Sequence, residues 1–302
     1  MQKKKQHLVP RSYLENFTDS NGKIFVLNKS LKIFSTKPEK ILTDNHFYTI
    51  KLSDGKGSFI VEDSLANIEG AFAELFKKKI SQRKSLTPEE KALAAVFIAS
   101  MLMRTKSRRN SIQKFFDEAL GFMEQIRRLP EENKKMLASM PRGDGPTISY
   151  KEMLEASKDI PSVHSVSIMD NLTEISQIIF AMKWGILIPE STKDYFITSD
   201  NPCVMLNPTV LKKFGPNSFG SQPGLDQKHV ELTLPLSSSM TLLVGWLLDN
   251  QEYTPISSKM IDNLNNRIIM YADKILAKSD QKLRDIITKT KEKQSKLNSS
   301  KS

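Results

Sequence analysis

Apolar and polar positions along this chain of 302 residues follow two different periods. Near the N-terminus, residues 23–28 and 31–34 alternate with a period of two around Lys29 and Ser30, which predicts a β-hairpin. Residues 47–52 predict a further strand that ends at a Ser-Asp-Gly turn. The chain is therefore expected to begin with short strands.

The middle region has the period of about three and a half residues that is typical of amphipathic helices. A helix is predicted over about 62–84, and Thr87, Pro88 and Glu90 form a capping box that starts the next helix. The remaining predictions for this region are a continuation to residue 128 with a break at 106–110, a loop with one short helix over 130–150, and a helix over 166–184.

The C-terminal region returns to short apolar segments bounded by turn residues, which predict strands. A long surface loop is expected over 208–226, and a final amphipathic helix carries Ile261, Leu264 and Ile268. The predicted strands are 185–188, 195–198, 203–206, 230–234 and 241–247.

This order of elements predicts an α+β fold, in which a largely helical middle packs against a mixed or antiparallel sheet built from N-terminal and C-terminal strands. We expect one domain over residues 1–280, with its helical middle at 60–184 and its strand-rich part at 185–250. Residues 281–302 are expected to form a basic tail, partly helical and then disordered, because they are rich in Lys and Ser and poor in apolar residues.

Composition indicates a strongly basic surface. The chain has 45 Lys and Arg residues against 34 Asp and Glu, a formal net charge of +11, and the basic residues are clustered. Clustered positive charge is typical of a protein that contacts a phosphate backbone, although solvated lysine-rich helices have the same composition. The clusters lie at residues 3–5, 77–84, 104–109, 212–213 and 282–301.

Several classes of protein are excluded or disfavoured. The single cysteine, Cys203, excludes an internal disulfide framework and a multi-cysteine zinc site. The lysine-rich start lacks the apolar region of a signal peptide, and the longest apolar stretch, residues 92–103, is too short to cross a bilayer. We therefore expect a soluble, cytoplasmic protein without a membrane partner. The sequence does not indicate its oligomeric state. P-loop, dinucleotide-binding, nucleophile-elbow and His-Glu-x-x-His motifs are absent.

Two polar features of the first seventy residues are candidates for chemistry. His7 begins the segment His-Leu-Val-Pro-Arg-Ser-Tyr-Leu-Glu-Asn-Phe, in which Tyr13 belongs to an apolar helical face that would hold His7 in place. His7 is then either a general base or metal ligand, or a structural residue bonded to nearby backbone. Glu62 and Glu69 lie on one side of a helix, which is typical of a divalent-cation site or of charges flanking an apolar stripe.

A buried arginine and a polar turn complete the candidates. Arg104 falls on a predicted buried face and therefore needs an anion, either a carboxylate such as Glu69 or Asp200, or a ligand phosphate. Ser199, Asp200 and Asn201 form a turn between two apolar strands. Such a turn either caps local backbone amides or offers a polar corner to a ligand or metal ion.

The opening His-x-Val-Pro-x-x-Tyr-Leu-x-x-Phe resembles the N-terminal signature of a bacterial and phage family known as domain of unknown function 4238. The resemblance covers about residues 5–280 and implies a shared architecture and a shared polar constellation, but no reaction. Further segments that match in order are Asn45-His46-Phe47-Tyr48, the helix start from Glu62 to Glu69, Arg104-Thr105, Thr198-Ser199-Asp200-Asn201-Pro202 and Leu234-Pro235-Leu236.

The leading hypothesis is a hydrolase that acts on nucleic acid, phosphodiesterase-like or nuclease-like, in a host–phage conflict role that the resemblance permits. His7 would be the base or a ligand, Glu69 and Asp200 carboxylate ligands, and Arg104 the phosphate-binding cation. A divalent cation such as Mg²⁺ is the cofactor class considered, with its identity left open. The full candidate set is His7, Glu69, Arg104, Ser199 and Asp200 as catalytic residues, with Tyr13, Tyr48 and Asn201 contacting the ligand.

Two alternatives remain open. In the first, the protein is a non-enzymatic module that binds nucleic acid or an acidic protein, and the same polar residues form a buried lattice that joins the two ends of the chain. In the second, it is a sensor of a small nucleotide, which uses Arg104 and the turn at Asp200.

Overall fold

A computed structural model describes residues 5–52, 54–139, 148–215, 223–249 and 251–299. The strands are β1 (Lys5–His7), β2 (Ile24–Asn28), β3 (Ile33–Thr36), β4 (Thr43–Asn45), β5 (Ile50–Lys51), β6 (Gly57–Ser58), β7 (Lys183–Pro189), β8 (Thr198–Ser199), β9 (Val204–Leu206), β10 (Glu231–Ser237), β11 (Met240–Gly245), β12 (Gln251–Ile256) and β13 (Lys274–Ala277). The helices are α1 (Arg11–Leu14), α2 (Ile60–Lys78), α3 (Pro88–Met103), α4 (Lys106–Arg127), α5 (Glu131–Ser139), α6 (Tyr150–Ser157), α7 (Ile160–Ala181), α8 (Pro208–Phe214), α9 (Ser258–Met270) and α10 (Asp280–Ser299).

Two larger sheets organise the strands. A five-stranded sheet has the order β12-β7-β11-β10-β9, in which β12 and β7 are parallel and the other neighbours antiparallel. A four-stranded antiparallel sheet has the order β3-β2-β13-β8, so the N-terminal hairpin pairs with a strand from the end of the chain. These sheets confirm the predicted α+β class.

Helix α3 is the centre of the helical layer and packs against α2 and α7. It is buried over most of its length because apolar residues cover nearly all of its surface. Phe72 of α2 and Phe97 of α3 stack face to face, with ring centroids 3.7 Å apart. The predicted capping box is present: the Thr87 hydroxyl accepts from the backbone N–H of Glu90, and the Glu90 carboxylate accepts from that of Thr87.

The structure differs from the predicted elements in places where long-range contacts override the local pattern. Only Ile50–Lys51 of the predicted strand 47–52 is a strand, because the backbone turns at His46, which has φ of +52°, and buries Phe47 and Tyr48. The predicted loop 208–226 begins with helix α8, whose first turn is capped by Asn207. Residues 140–147 of the predicted loop 130–150 and residues 216–222 of the predicted loop 208–226 lie outside the described residues.

The C-terminal segment joins the packed structure at its start. Helix α10 begins at Asp280, and its residues Leu283 and Ile286 are buried in an apolar cluster with Ile275 of β13. Apolar residues at Leu283 and Ile286 therefore continue the core past residue 280. The helix extends to Ser299. Among the described residues, no helix is long and apolar enough to cross a membrane.

Tyr13 fastens the N-terminal segment to both larger sheets. Its side chain is 2% exposed, and its hydroxyl lies 2.8 Å from the Thr198 hydroxyl of β8 and donates to the Pro235 carbonyl of β10 at 2.7 Å. Next to it, the Asn16 side-chain amide donates to the Leu236 carbonyl. Tyr13, which the sequence suggested as a residue that contacts a ligand, thus uses its hydroxyl for buried hydrogen bonds within the protein.

We predict that Tyr13→Phe lowers the free energy of unfolding by about 1–3 kcal/mol, because it leaves two buried oxygen atoms without their partner. Urea denaturation of both proteins measures the difference. Tyr150→Phe is the matched control, since no contact described for the Tyr150 hydroxyl is a hydrogen bond, and its effect should stay within about 0.5 kcal/mol. Equal stability of Tyr13→Phe and the control would contradict the assignment.

Candidate functional site

Arg104 lies at the break between α3 and α4 and is the largest fully buried side chain of the described chain, at 1% exposure. Its guanidinium forms an ion pair with Glu69 of α2 and donates to the His7 carbonyl of β1 at 2.7 Å. Its Nε donates to the Tyr48 hydroxyl at 3.2 Å. We call this group of side chains, together with the His7 carbonyl, the Arg104 lattice.

Electrostatics keep the centre of the Arg104 lattice charged. Burial opposes the positive charge of Arg104, but the neighbouring Tyr48 and Glu69 outweigh it and raise the pKa of the guanidinium. Burial also raises the pKa of Tyr48, so its hydroxyl stays protonated. The Tyr48 hydroxyl donates to the Arg104 backbone carbonyl at 3.1 Å. The Tyr48 backbone N–H donates to the Gln6 side-chain carbonyl at 2.6 Å. The lattice thus joins β1, α2 and the break after α3.

A second polar contact follows the break. Arg109 of α4 stacks on the Phe47 ring, 3.4 Å from its centroid, and donates to the Phe47 carbonyl. His164 of α7 is 1% exposed, and its Nε2 lies 2.9 Å from the Met103 carbonyl. This contact requires a proton on Nε2, which leaves Nδ1, 3.4 Å from the Arg109 guanidinium, as the acceptor. Burial lowers the pKa of His164 to about 4, so it is neutral in the folded protein.

The turn at Asp200 holds the start of β13. One Asp200 carboxylate oxygen accepts from the backbone N–H groups of Asp273 and Lys274, each at 2.9 Å. Ser199 is buried, and its hydroxyl accepts from the backbone N–H of Asn201 at 3.1 Å. Burial raises the pKa of Asp200, against the effect of these two hydrogen bonds.

The structure places the candidate residues in two groups. His7, Tyr48, Glu69 and Arg104 meet in the Arg104 lattice, whereas Ser199, Asp200 and Asn201 form the turn beside β13. Tyr13 contacts Thr198, next to that turn in sequence. No contact described between side chains of the two groups joins them into one pocket. Within the described chain, no three His, Cys, Asp or Glu side chains form a group that could hold a metal ion.

A cleft of about 670 Å³ lies between the first turns of α4, helix α7 and strand β9, and we call it the inner cleft. Its floor is apolar and includes Met103, Ile178, Cys203 and Val204. Its polar lining is made by Ser107, Arg108, Ser111, Glu174, Asn201 and Tyr271. This combination of an apolar floor and a few polar groups is typical of small-molecule sites.

The inner cleft continues into a second depression of about 300 Å³, which we call the basic groove. The two share Ser107, Ser111, Asn201 and Tyr271. The basic groove is lined in addition by Lys29, Lys106, Asn110, Lys114, Asp200 and Asp273. Of the sequence candidates, only Asp200 and Asn201 line this continuous surface.

The residues that sequence analysis did not single out are those brought here by tertiary structure. Lys29 comes from the turn between β2 and β3, whereas Lys106 and Lys114 come from α4. Tyr271 follows the last residue of α9 as its C-cap and lines both depressions. The basic cluster at 104–109 was a usable signal for Lys106, and nothing local marks Lys29.

We predict that Glu69→Leu lowers the free energy of unfolding by about 3–5 kcal/mol, because it leaves the buried charge of Arg104 without its carboxylate. Glu74→Leu on the same helix is the control, since the Glu74 side chain is 63% exposed and its removal should cost about 0.5 kcal/mol at most. Adding Arg104→Met to Glu69→Leu should restore part of the loss. Equal effects of the two glutamate variants would refute the role of the ion pair.

The lowered pKa of His164 predicts a loss of stability in mild acid. Below pH 6.5 the unfolded chain binds a proton at this histidine while the folded protein does not until about pH 4, so protons favour unfolding. The histidine alone should reduce the free energy of unfolding by about 2 kcal/mol between pH 7.5 and pH 5. Urea titrations of the wild type and His164→Gln at both pH values test this, with exposed His46→Gln as control. A parallel decline in all three proteins would be inconsistent with it.

Comparison with known proteins gives a family and no individual relative. The family model described as "Protein of unknown function (DUF4238)" matches residues 5–282. This span runs from β1 to the first turn of α10 and contains the Arg104 lattice, the inner cleft and the basic groove. No curated protein and no solved structure matches the chain significantly.

Proposed function

We propose, from the premise that the chain belongs to the DUF4238 family, that it binds nucleic acid through phosphates held in the basic groove. The family description states no reaction, so the proposal depends on the site itself. The observation that carries it is the convergence of Lys29, Lys106 and Lys114 from two distant parts of the chain on one groove. Such a partner requires a compartment that contains nucleic acid, in agreement with the expected cytoplasmic location.

Lys106 and Lys114 of the basic groove are available to a ligand. Lys106 is 62% exposed and 3.9 Å from Asp44, and Lys114 is 76% exposed and 3.6 Å from Glu118. Exposed ion pairs at such distances contribute little, so a phosphate group can replace them at small cost. The net charge of +11 adds a long-range attraction for a polyanion.

The backbone of α4 adds to this attraction. The helix begins beside the groove, with Thr105 as its N-cap and Lys106, Ser107 and Arg108 in its first turn. The positive end of the helix dipole therefore faces the same depression as the lysines. Ser107 and Asn110 supply neutral hydrogen-bond donors there, and hydroxyl and amide donors commonly contact phosphate oxygens in nucleic-acid complexes.

The two carboxylates of the groove are already engaged. Asp273 pairs with Lys29 at 2.7 Å, and Asp200 accepts two backbone N–H groups. Arg104, expected as the phosphate-binding cation, instead has Glu69 as its partner anion and lies at 1% exposure. These contacts favour the binding function over the constellation that the sequence suggested, because Arg104 and Glu69 neutralise each other inside the fold.

Hydrolysis of the bound phosphodiester is the second candidate function. Asp200 lines the basic groove, and burial raises the pKa of its carboxyl group. A carboxyl group with a raised pKa beside a phosphate site is a candidate acid or base for phosphodiester chemistry. Ser199 and His7 do not line the groove, so this version of the hydrolase rests on Asp200 alone.

We predict that Lys106→Ala combined with Lys114→Ala weakens binding of labelled single strands and lowers the slope of log K against log salt by about 1.4, because two phosphate contacts are lost. Fluorescence anisotropy with 12-nucleotide strands between 50 and 200 mM KCl, as chosen assay conditions, measures the slope. Lys78→Ala combined with Lys158→Ala is the matched control, since these exposed lysines also pair with nearby glutamates on their own helices. The same slope in both double variants would overturn the proposed groove.

A cleavage assay separates binding from hydrolysis. If the hydrolase version holds, wild-type protein cuts labelled RNA or DNA when Mg²⁺ or Mn²⁺ is supplied. Asp200→Asn should then lower the cleavage rate at least about 100-fold, because a general acid–base group contributes a factor of this size. Asp170→Asn, at an exposed position of α7 that lines neither depression, should keep the rate within a few fold. Intact strands after incubation with protein that binds them would support the non-enzymatic module.

A further inference from the structure

We infer that the inner cleft holds the base and sugar of a nucleoside phosphate whose phosphate group lies in the basic groove. This inference rests on the proposed function and narrows it to nucleic acid with unpaired bases or to a free nucleotide. The two sources share one chemistry, and the experiment below distinguishes them.

The inner cleft and the basic groove are continuous, so one ligand can occupy both. Ser107, Ser111, Asn201 and Tyr271 line both of them, so a ligand can extend from one to the other past these four side chains. The inner cleft, at about 670 Å³, falls within the range of about 300–1,000 Å³ that is usual for small-molecule sites. A ligand that fills both must join a bulky group to an anionic one.

The walls of the inner cleft indicate what the bulky group is. Met103, Cys203 and Val204 are each 2% exposed and form an apolar floor without charge. Glu174 and Asn201 lie at the polar side of the cleft with hydrogen-bonding groups. A nucleobase has apolar faces and a polar edge of donors and acceptors, and it therefore fits a lining of this kind.

Tyr271 supplies an independent observation. Its hydroxyl is shielded from solvent and has no hydrogen-bond partner among the described residues. A buried hydroxyl without a partner is costly, and native structures rarely retain one without a reason. Because Tyr271 lines both depressions, a hydrogen bond from its hydroxyl to the sugar or base of a ligand would satisfy it.

The balance of charges makes the inner cleft less suitable for the phosphate than the basic groove, because three lysines outnumber two aspartates in the groove. Glu174 and Asp226 line it, whereas the lysines lie in the basic groove. Arg108 is the cation of the inner cleft lining, and it belongs to the first turn of α4, next to Lys106 of the groove. The charge distribution therefore orients the ligand, with its phosphate at the lysines and its uncharged part inside.

A base inside the cleft must be unpaired and unstacked from its neighbours. The ligand is therefore a single strand, a strand end or a free nucleotide, and duplex nucleic acid should bind through its phosphates alone. In other proteins that bind single strands, alanine substitution of the side chains that stack on a base weakens binding measurably. We expect at least tenfold tighter binding of a strand that has bases than of a strand of equal charge that lacks them.

The experiment compares three probes on full-length protein at one salt concentration. These are labelled 12-nucleotide homopolymers of each base, an abasic strand with the same number of phosphates, and the free nucleoside monophosphates. The expected result is that at least one homopolymer binds at least ten times more tightly than the abasic strand. Equal binding of all homopolymers and the abasic strand would overturn the inference while leaving the phosphate groove in place.

Tyr271→Phe gives a test that separates a ligand contact from a structural role. Removal of an unpartnered hydroxyl should leave Tm unchanged or raise it, while the preference for strands with bases falls about three- to tenfold and abasic binding stays constant. Tyr150→Phe should change neither quantity. A lower Tm for Tyr271→Phe, with the preference for bases unchanged, would show that the hydroxyl serves the fold and would overturn the inference.

A substitution that fills the cleft provides the second variant. Glu174 and Gln177 are both exposed on α7, but Glu174 lines the inner cleft. Glu174→Trp should abolish the preference for bases even though it removes a negative charge, whereas Gln177→Trp should retain it. Binding of nucleoside monophosphates without binding of any strand would refute the proposed function but support the inference, with a free nucleotide as the ligand.

Discussion

The positive charge of Arg104, held at 1% exposure, is the constraint on which the rest of this structure depends. A buried guanidinium is tolerated only with a counter-ion and acceptors for its fixed N–H groups. Glu69 supplies the first, and the His7 carbonyl and Tyr48 hydroxyl supply the others. Satisfying one side chain therefore fixes helix α2, the N-terminal strand and the turn after β4 relative to the centre of the fold.

The same charge determines where α3 ends and where α4 begins. Arg104 closes α3, and Thr105, 1% exposed, caps α4 in a new direction. The first turn of α4 consequently lies next to the turn at Asp200, and the inner cleft and basic groove form between them. The Arg104 lattice thus lies beside the two depressions without lining either of them.

Local patterns were sufficient wherever a few neighbouring residues decide the structure. The hairpin of β2 and β3, the Thr87 capping box and the need of Arg104 for a carboxylate such as Glu69 were all predictable. The pairing of β2 with β13 agrees with the expectation that strands from both ends meet. The grouping of Lys29 with Lys114 was not predictable. The two lysines are 85 positions apart in the sequence, and only the tertiary structure places both in one groove. A local periodicity of apolar residues carries no information about such a long-range arrangement.

The contrast between the two polar groups explains which residues the sequence pattern singles out. His7, Tyr13 and Arg104 stand out in the sequence because they are polar residues within apolar segments, and polar residues in such positions must be satisfied inside the fold. The lysines of the basic groove do not stand out, since exposed lysines are common in this chain. A site for a polyanion needs side chains that remain solvated until the ligand replaces their water, and such side chains have ordinary surface composition. The distinctive residues are therefore the buried ones, whereas the lysines of the proposed site have ordinary surface composition.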